Sequence, residues 1–249
     1  MRYIRWYNEQ MPKRQAYFIL GLILFFTFLF FSYLVRNGHF TTFDFNNTVH
    51  LQNHISHRFD TPFSFLSDVG RAEVMTIVLA AIFFITRRFK AGMIAAGFFI
   101  LFHLIEIYGK FFVSHRPPPH FMLRTINLVP MSPFEVSTKN SYPSGHAGRT
   151  MFISVILLIL IWQNKRFSIV TKLIASGVII AFDITMVVSR VYLGEHWTSD
   201  VIGGSILGAS FGFFAGMFLN EKKRDVAPAH DGKKRSLFPK YKLELKRVE

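Results

Sequence analysis

The chain has 249 residues, 51% of them hydrophobic, and a formal charge of +14. Two uncharged stretches of nineteen residues, Tyr17 to Val35 and Val201 to Leu219, are each long enough to cross the hydrocarbon core of a bilayer, which excludes a soluble fold. The absence of cysteine excludes disulfides and thiolate chemistry.

In chain order, residues 1–16 are polar and basic, with Trp6 and Tyr7 placed as interface anchors. The first apolar run follows. It is long for a signal peptide and lacks a small-residue cleavage site, so a retained helix is expected. Residues 36–71 form an outer segment in which a helix would align His50, His54 and His57. That spacing suits zinc. No acidic or cysteine ligand completes the set, however, and Val49, Leu51 and Ile55 point to a helix lying on the interface. A second spanning helix is expected over roughly Ala72 to Thr86, with a possible earlier start near Pro62, and Arg87-Arg88-Phe89-Lys90 turns the chain. A third, from about Ala91 to Val113, carries His103, Glu106 and Lys110 on one face. Ionisable residues at membrane depth face the bundle interior. Glu106 and Lys110 are also spaced to pair with each other.

A long proline-rich loop over 114–145 contains His115-Arg116-Pro117-Pro118-Pro119-His120 and ends in Tyr142-Pro143-Ser144-Gly145-His146. The fourth helix then runs to Trp162, and the free N–H groups at its start make Ser144 and Gly145 an anion-binding candidate. Asn164-Lys165-Arg166 turns the chain again. A fifth helix, roughly Ser168 to Val188, holds Asp183, seven residues from Arg190 and on the same face, so a structural pair is expected. The sixth has Gly204, Gly208, Gly212 and Gly216 at four-residue intervals, the small-residue pattern that lets membrane helices approach closely. Asp200 heads that face. The expected architecture is all-α, a polytopic bundle of six transmembrane helices over 17–220, with a flexible basic tail over 221–249.

The charge suggests nucleic acid until its placement is read. Arg2, Arg5, Lys13 and Arg14, then Arg87, Arg88 and Lys90, then Lys165 and Arg166, then the tail fall on one side of a six-crossing chain. This positive-inside pattern puts both termini in the cytoplasm of a plasma (inner) membrane protein, and the tail is suited to anionic headgroups rather than nucleic acid.

On this topology three polar clusters reach the outer face: Lys110 with Arg116, Ser144-Gly145-His146, and Arg190 with His196 and Asp200. His196 and Asp200, four apart, are neighbours on a helix, and a carboxylate beside an imidazole fixes its tautomer. Cations, an N–H cradle and two histidines suit a phosphate monoester or diphosphate. Here the chain resembles the type 2 phosphatidic acid phosphatase family, which shares a core with acid phosphatases and vanadium haloperoxidases. Ser189-Arg190, five residues, His196, three residues, Asp200 matches its third motif, and Pro143-Ser144-Gly145-His146 matches its second. The first motif departs: the family has six residues between Lys and Arg-Pro, whereas five separate Lys110 from Arg116-Pro117, and Arg124 or Arg149 could take the missing cationic role.

The resemblance implies that His196 attacks phosphorus, aligned by Asp200, while His146 protonates the leaving oxygen and then activates water. Lys110, Arg116, Ser144, Gly145 and Arg190 would hold the phosphoryl group, with no metal or other cofactor. The expected substrate is an outer-leaflet lipid phosphate such as undecaprenyl diphosphate, phosphatidylglycerophosphate or phosphatidic acid. A transporter or channel using the same residues as a relay, and a catalytically silent scaffold, are the competing readings.

Overall fold

The computed structural model describes residues 2–126 and 139–219, and the side chains from residue 13 onward. The basic tail lies outside the described residues. Eight α-helices follow in order: α1 (Arg2–Arg36), α2 (Thr41–His54), α3 (Asp60–Val69), α4 (Ala72–Thr86), α5 (Phe89–Phe112), α6 (Gly145–Gln163), α7 (Ile169–Tyr192) and α8 (Thr198–Gly216). Short 3-10 turns lie at His57–Phe59 and His120–Met122, and no strand occurs among the described residues. The first helix begins at Arg2, so the polar N-terminal segment is helical and runs directly into the first span.

Helices α1 from Lys13, α5, α6 and α7 are each long and apolar enough to cross a membrane. The second expected span is bent: His57–Val69 and α4 meet at 57° across Gly70 and Arg71, the geometry of a broken span or a re-entrant loop. The sixth, α8, has 19 residues, the same as α6, yet falls outside the apolar set. Its glycines, serines and Asp200 dilute its hydropathy. It tolerates them because it is enclosed: Val201, Leu207, Ser210 and Phe211 are buried, and α8 packs against α1, α5 and α6. A helix surrounded by protein does not have to be soluble in lipid.

The glycine periodicity has the expected consequence. A Cβ on Gly204 would stand 2.2 Å from the Ser144 carbonyl oxygen, and one on Gly208 would stand 2.0 Å from that of Gly148. The α6 and α8 backbones therefore touch. Apolar burial gives little drive for helix association where lipid is the alternative solvent, and such close packing supplies it instead. The Ser210 hydroxyl donates to the Gly21 carbonyl on α1 (2.8 Å), and Phe25, Phe98 and Phe211 fill the space between. On the outside, Phe26, Phe30, Ile77, Ile85, Val178 and Ile184 are exposed, an apolar surface far larger than a soluble monomer shows. The protein is an integral membrane protein.

The outer segment folds as α2, a turn and α3. His50 and His54 stack with ring centroids 4.1 Å apart, while His57 lies beyond the helix end beside Asp60, 3.0 Å from its carboxylate. The three do not converge, and no metal-binding group of His, Asp and Glu forms among the described residues. Asp183 differs from expectation as well. It accepts from the Ser154 hydroxyl on α6 (3.0 Å), whereas Arg190, seven residues further along α7, contacts Ser67 and Glu195.

Candidate active site

The C-terminal ends of α5 and α7 and the N-terminal ends of α6 and α8 meet at one end of the bundle. Each brings a residue singled out by sequence. The last turn of α7 carries Ser189 and Arg190, and the helix ends at Tyr192, two residues before Gly194, whose φ of +71° disfavours a side chain. A Cβ there would also strike the Met122 carbonyl at 2.2 Å. The chain doubles back, so the Glu195 N–H donates to the Arg190 carbonyl (3.2 Å) and His196 follows beside the Arg190 backbone.

Asp200, in the first turn of α8, accepts from the Trp197 N–H through Oδ2 (3.0 Å) and stands 3.3 Å from His196 Nδ1 through the same oxygen. A carboxylate can only accept, so His196 presents Nδ1–H to Asp200 and its Nε2 is left for chemistry. Burial lowers the pKa of His196; the Asp200 bond opposes this, and the nearby Arg190 and Lys110 charges add to it. The balance favours the neutral form of the imidazole.

The second motif is held against the third. The Ser144 N–H donates to the Asp200 carbonyl (3.0 Å), and the Ser144 hydroxyl is buried with no partner among the described residues. Leaving a buried hydroxyl unmatched has a cost, which a ligand oxygen could relieve. Gly145 opens α6, and a Cβ there would lie 2.0 Å from Glu106 Oε1, so only glycine lets that carboxylate approach. Glu106 pairs with Lys110 (3.5 Å) and with Arg149 (3.3 Å). Arg149 also donates to the Gly70 carbonyl (3.0 Å) and reaches His146 Nδ1 (3.4 Å). An arginine only donates, so His146 Nδ1 accepts and the proton sits on Nε2.

The structure thus brings together Lys110, Ser144, Gly145, His146, Arg190, His196 and Asp200. It does not gather Arg116, whose side chain is exposed and makes no hydrogen bond among the described residues; only its carbonyl is engaged, by Trp197 Nε1 (2.7 Å). Arg124 lies apart, its guanidinium 5.1 Å from the Tyr192 ring centre. Arg149 is the extra cation in the cluster. Two participants carried no sequence signal of their own. Asp44 on α2 accepts from the Ser199 N–H and hydroxyl, both at 2.7 Å, and His115 donates through Nδ1 to Asp200 Oδ1 at 2.8 Å.

Comparison with known proteins shows the family. The model of the PAP2 superfamily matches residues 89–224, more than half of the chain. An undecaprenyl-diphosphatase of Sulfolobus acidocaldarius is 29% identical over 151 residues, covering 61% of this chain and 66% of that protein. The bacitracin transport permease protein BcrC of Bacillus licheniformis is 27% identical over 169 residues, covering 61% and 76%. Among solved structures, the PAP2-type phosphatidylglycerolphosphate phosphatase of Bacillus subtilis superposes with a TM-score of 0.64 at 19% identity, over 82% of this chain and 98% of that one. Aquifex aeolicus LpxE gives 0.52 at 20% identity, over 70% and 94%. The two structural likenesses carry the fold, and the sequence match carries the family: this chain belongs to the PAP2 superfamily, as a membrane-embedded member of a family of phosphatases.

Proposed function

We propose that the chain is a lipid phosphate or diphosphate phosphatase that works through a phosphohistidine on His196. The observation that carries this reading is the oriented His196–Asp200 pair at 3.3 Å, in a cluster that also contains His146, Lys110 and Arg190. In the first step His196 Nε2 attacks phosphorus as the bond from phosphorus to the leaving oxygen breaks, and His146, charged to the imidazolium once the phosphate anion is bound, passes its Nε2 proton to that oxygen and becomes neutral. In the second, His146 takes a proton from water, the water oxygen bonds to phosphorus, and the N–P bond breaks to release inorganic phosphate.

Lys110, Arg190, the Ser144 hydroxyl and the Gly145 N–H hold the phosphoryl oxygens, whose negative charge must be met throughout. Arg116, beside Trp197, meets the incoming headgroup. These cations do the work that a metal does in other phosphatases, so the reaction proceeds in chelator. The match to an undecaprenyl-diphosphatase favours a polyprenyl diphosphate substrate. Phosphatidylglycerophosphate and phosphatidic acid are the alternatives.

The membrane phosphatase domain spans 17–220, with 1–16 and the 221–249 tail in the cytoplasm, the tail on anionic lipid, and the site on the outer face of the plasma membrane. The test is phosphate release by purified protein from a panel of lipid phosphates with chelator present. His196→Ala should lose at least about 10,000-fold in turnover while still purifying folded, as expected for a removed nucleophile. Turnover that survives the substitution would move the chemistry elsewhere.

A further inference from the structure

We propose that His115, clamped as an imidazolium between Asp44 and Asp200, is a positioning residue that fixes the Asp200 carboxylate and keeps His196 in its nucleophilic form. The inference rests on His196 being the nucleophile. It starts from two buried carboxylates at one helix end. Asp44 is 1% exposed and Asp200 is 0% exposed. Asp44 caps α8 through both Ser199 hydrogen bonds, and Asp200 caps the same turn through Trp197.

Two carboxylates this close and this dry do not both stay ionised without a cation between them. His115 is that cation. Its Nδ1 lies 2.8 Å from Asp200 Oδ1 and its Nε2 lies 3.5 Å from Asp44 Oδ2, so both ring nitrogens face carboxylate oxygens and both must carry a proton. Burial pulls the His115 pKa down, but the bonds and charges of Asp200 and Asp44 outweigh it and hold it at about 9.

The loop is built to keep the ring there. The Ser141 N–H donates to the His115 carbonyl (2.8 Å), the Trp197 indole donates to the next carbonyl, and Tyr142 stands edge-on to the imidazole. The other charges that act on His196 are those of Arg190 and Lys110. Asp44 precedes residue 89, where the superfamily match begins, so α2 reaches the active centre from outside the matched region.

The consequence for His196 has a definite sign. Asp200 stabilises a proton on His196; the His115 charge offsets part of that pull. Removing the charge makes His196 more basic, so more of it is protonated and unable to attack at a given pH. In His115→Gln an amide can still donate to Asp200 but carries no charge. The acid limb of its kcat/KM profile should move to higher pH by about one unit, the size of one buried charge acting across a carboxylate.

The experiment compares full-length wild type, His115→Gln and His196→Ala on the lipid phosphate that wild type cleaves fastest. A His115→Gln profile that is merely scaled down, with its acid limb in place, overturns the proposal and leaves His115 a packing residue. Turnover retained in His196→Ala overturns the underlying assignment instead, so the two failures are distinct. Should His115→Gln not fold, wild-type protein with 13C-labelled imidazoles decides the matter by NMR. One histidine should remain protonated up to a pH of about 9, and the absence of any histidine titrating above about pH 8 sinks the idea.

Discussion

At the end of the bundle where α5 and α7 finish and α6 and α8 begin, charge is buried and matched. Arg190 and Arg149 are at most 7% exposed, and Glu106, Asp44 and Asp200 are no more open. At the opposite end Arg87, Lys90, Lys165 and Arg166 are exposed, and Arg88 reaches the Leu219 carbonyl at the close of α8. Both ends are basic in sequence, yet they answer to different physics. A buried guanidinium needs fixed partners, which pins its position to within a fraction of an ångström. An exposed one needs none, and its position is free to serve topology alone. The number of cations therefore says little about the chemistry, and their burial says a great deal.

The largest effects should separate cations by burial. Lys110→Ala and Arg149→Ala should each lower turnover by roughly ten- to a thousandfold, the range for losing a preorganised charge-stabilising or orienting group. Arg116→Ala should stay within about threefold, because its exposed side chain contributes as a surface charge does. Steady-state kinetics on the three variants decides it. A crippled Arg116→Ala beside a mild Arg149→Ala would show that the headgroup recruits the exposed arginine and that burial in the resting state is a poor guide.

This is also where the sequence was least legible. The His196–Asp200 pair and the Ser144-Gly145-His146 turn are local, set by spacing within one helical turn, and they stand where their motifs put them. The helical membrane bundle was visible in the apolar runs, whereas the bend between α3 and α4 was not, because nothing in the apolar pattern marks the break at Gly70 and Arg71. Asp44 and His115 could not be read in this way. Their partnership joins residues 71 positions apart through a third element, and neither residue has a periodicity that marks it. Arg149 sat in view three residues after His146, but only the fold shows that it faces Glu106 and His146 rather than lipid. The Asp183–Arg190 pair failed for the complementary reason: sharing a helix face at seven residues leaves about 10 Å of rise between the two, and nearer partners on α3 and α6 take both.

A smaller effect tests whether the site end depends on the α6–α8 contact that holds it. Gly208→Ala puts a methyl group where the Gly148 carbonyl already stands, with the nearest backbone atom 2.0 Å away. The helices must part, at a cost of about 1–3 kcal/mol for overpacking. The expected result is a melting temperature lowered by several degrees in detergent. The Ser144–Asp200 backbone bond lies one turn of α6 and about two turns of α8 from the contact, so turnover at permissive temperature should fall with it. Gly97→Ala is the control, because a Cβ there meets nothing within 4 Å. Equal melting temperatures for the two variants would remove the α6–α8 contact as the source of the site's rigidity.

The last prediction perturbs the protein least, since it asks only which side each end faces. Asp44 on α2 caps α8 at Ser199, so α2 lies at the site end, whereas the α6–α7 turn lies at the other. The lysine and arginine bias predicts that turn in the cytoplasm and the site outside. With no cysteine in the chain, single cysteines report without background. Asn46 is exposed on α2, and Phe167 is 42% exposed in the α6–α7 turn; replacing either leaves the basic residues untouched. In intact cells a membrane-impermeant thiol reagent should label Asn46→Cys and spare Phe167→Cys, and permeabilisation should make both reactive. The opposite pattern would place the buried charges on the cytoplasmic side and the exposed ones outside. The substrate pool would then be the inner leaflet, and the exposed basic end could no longer be explained as the topology signal.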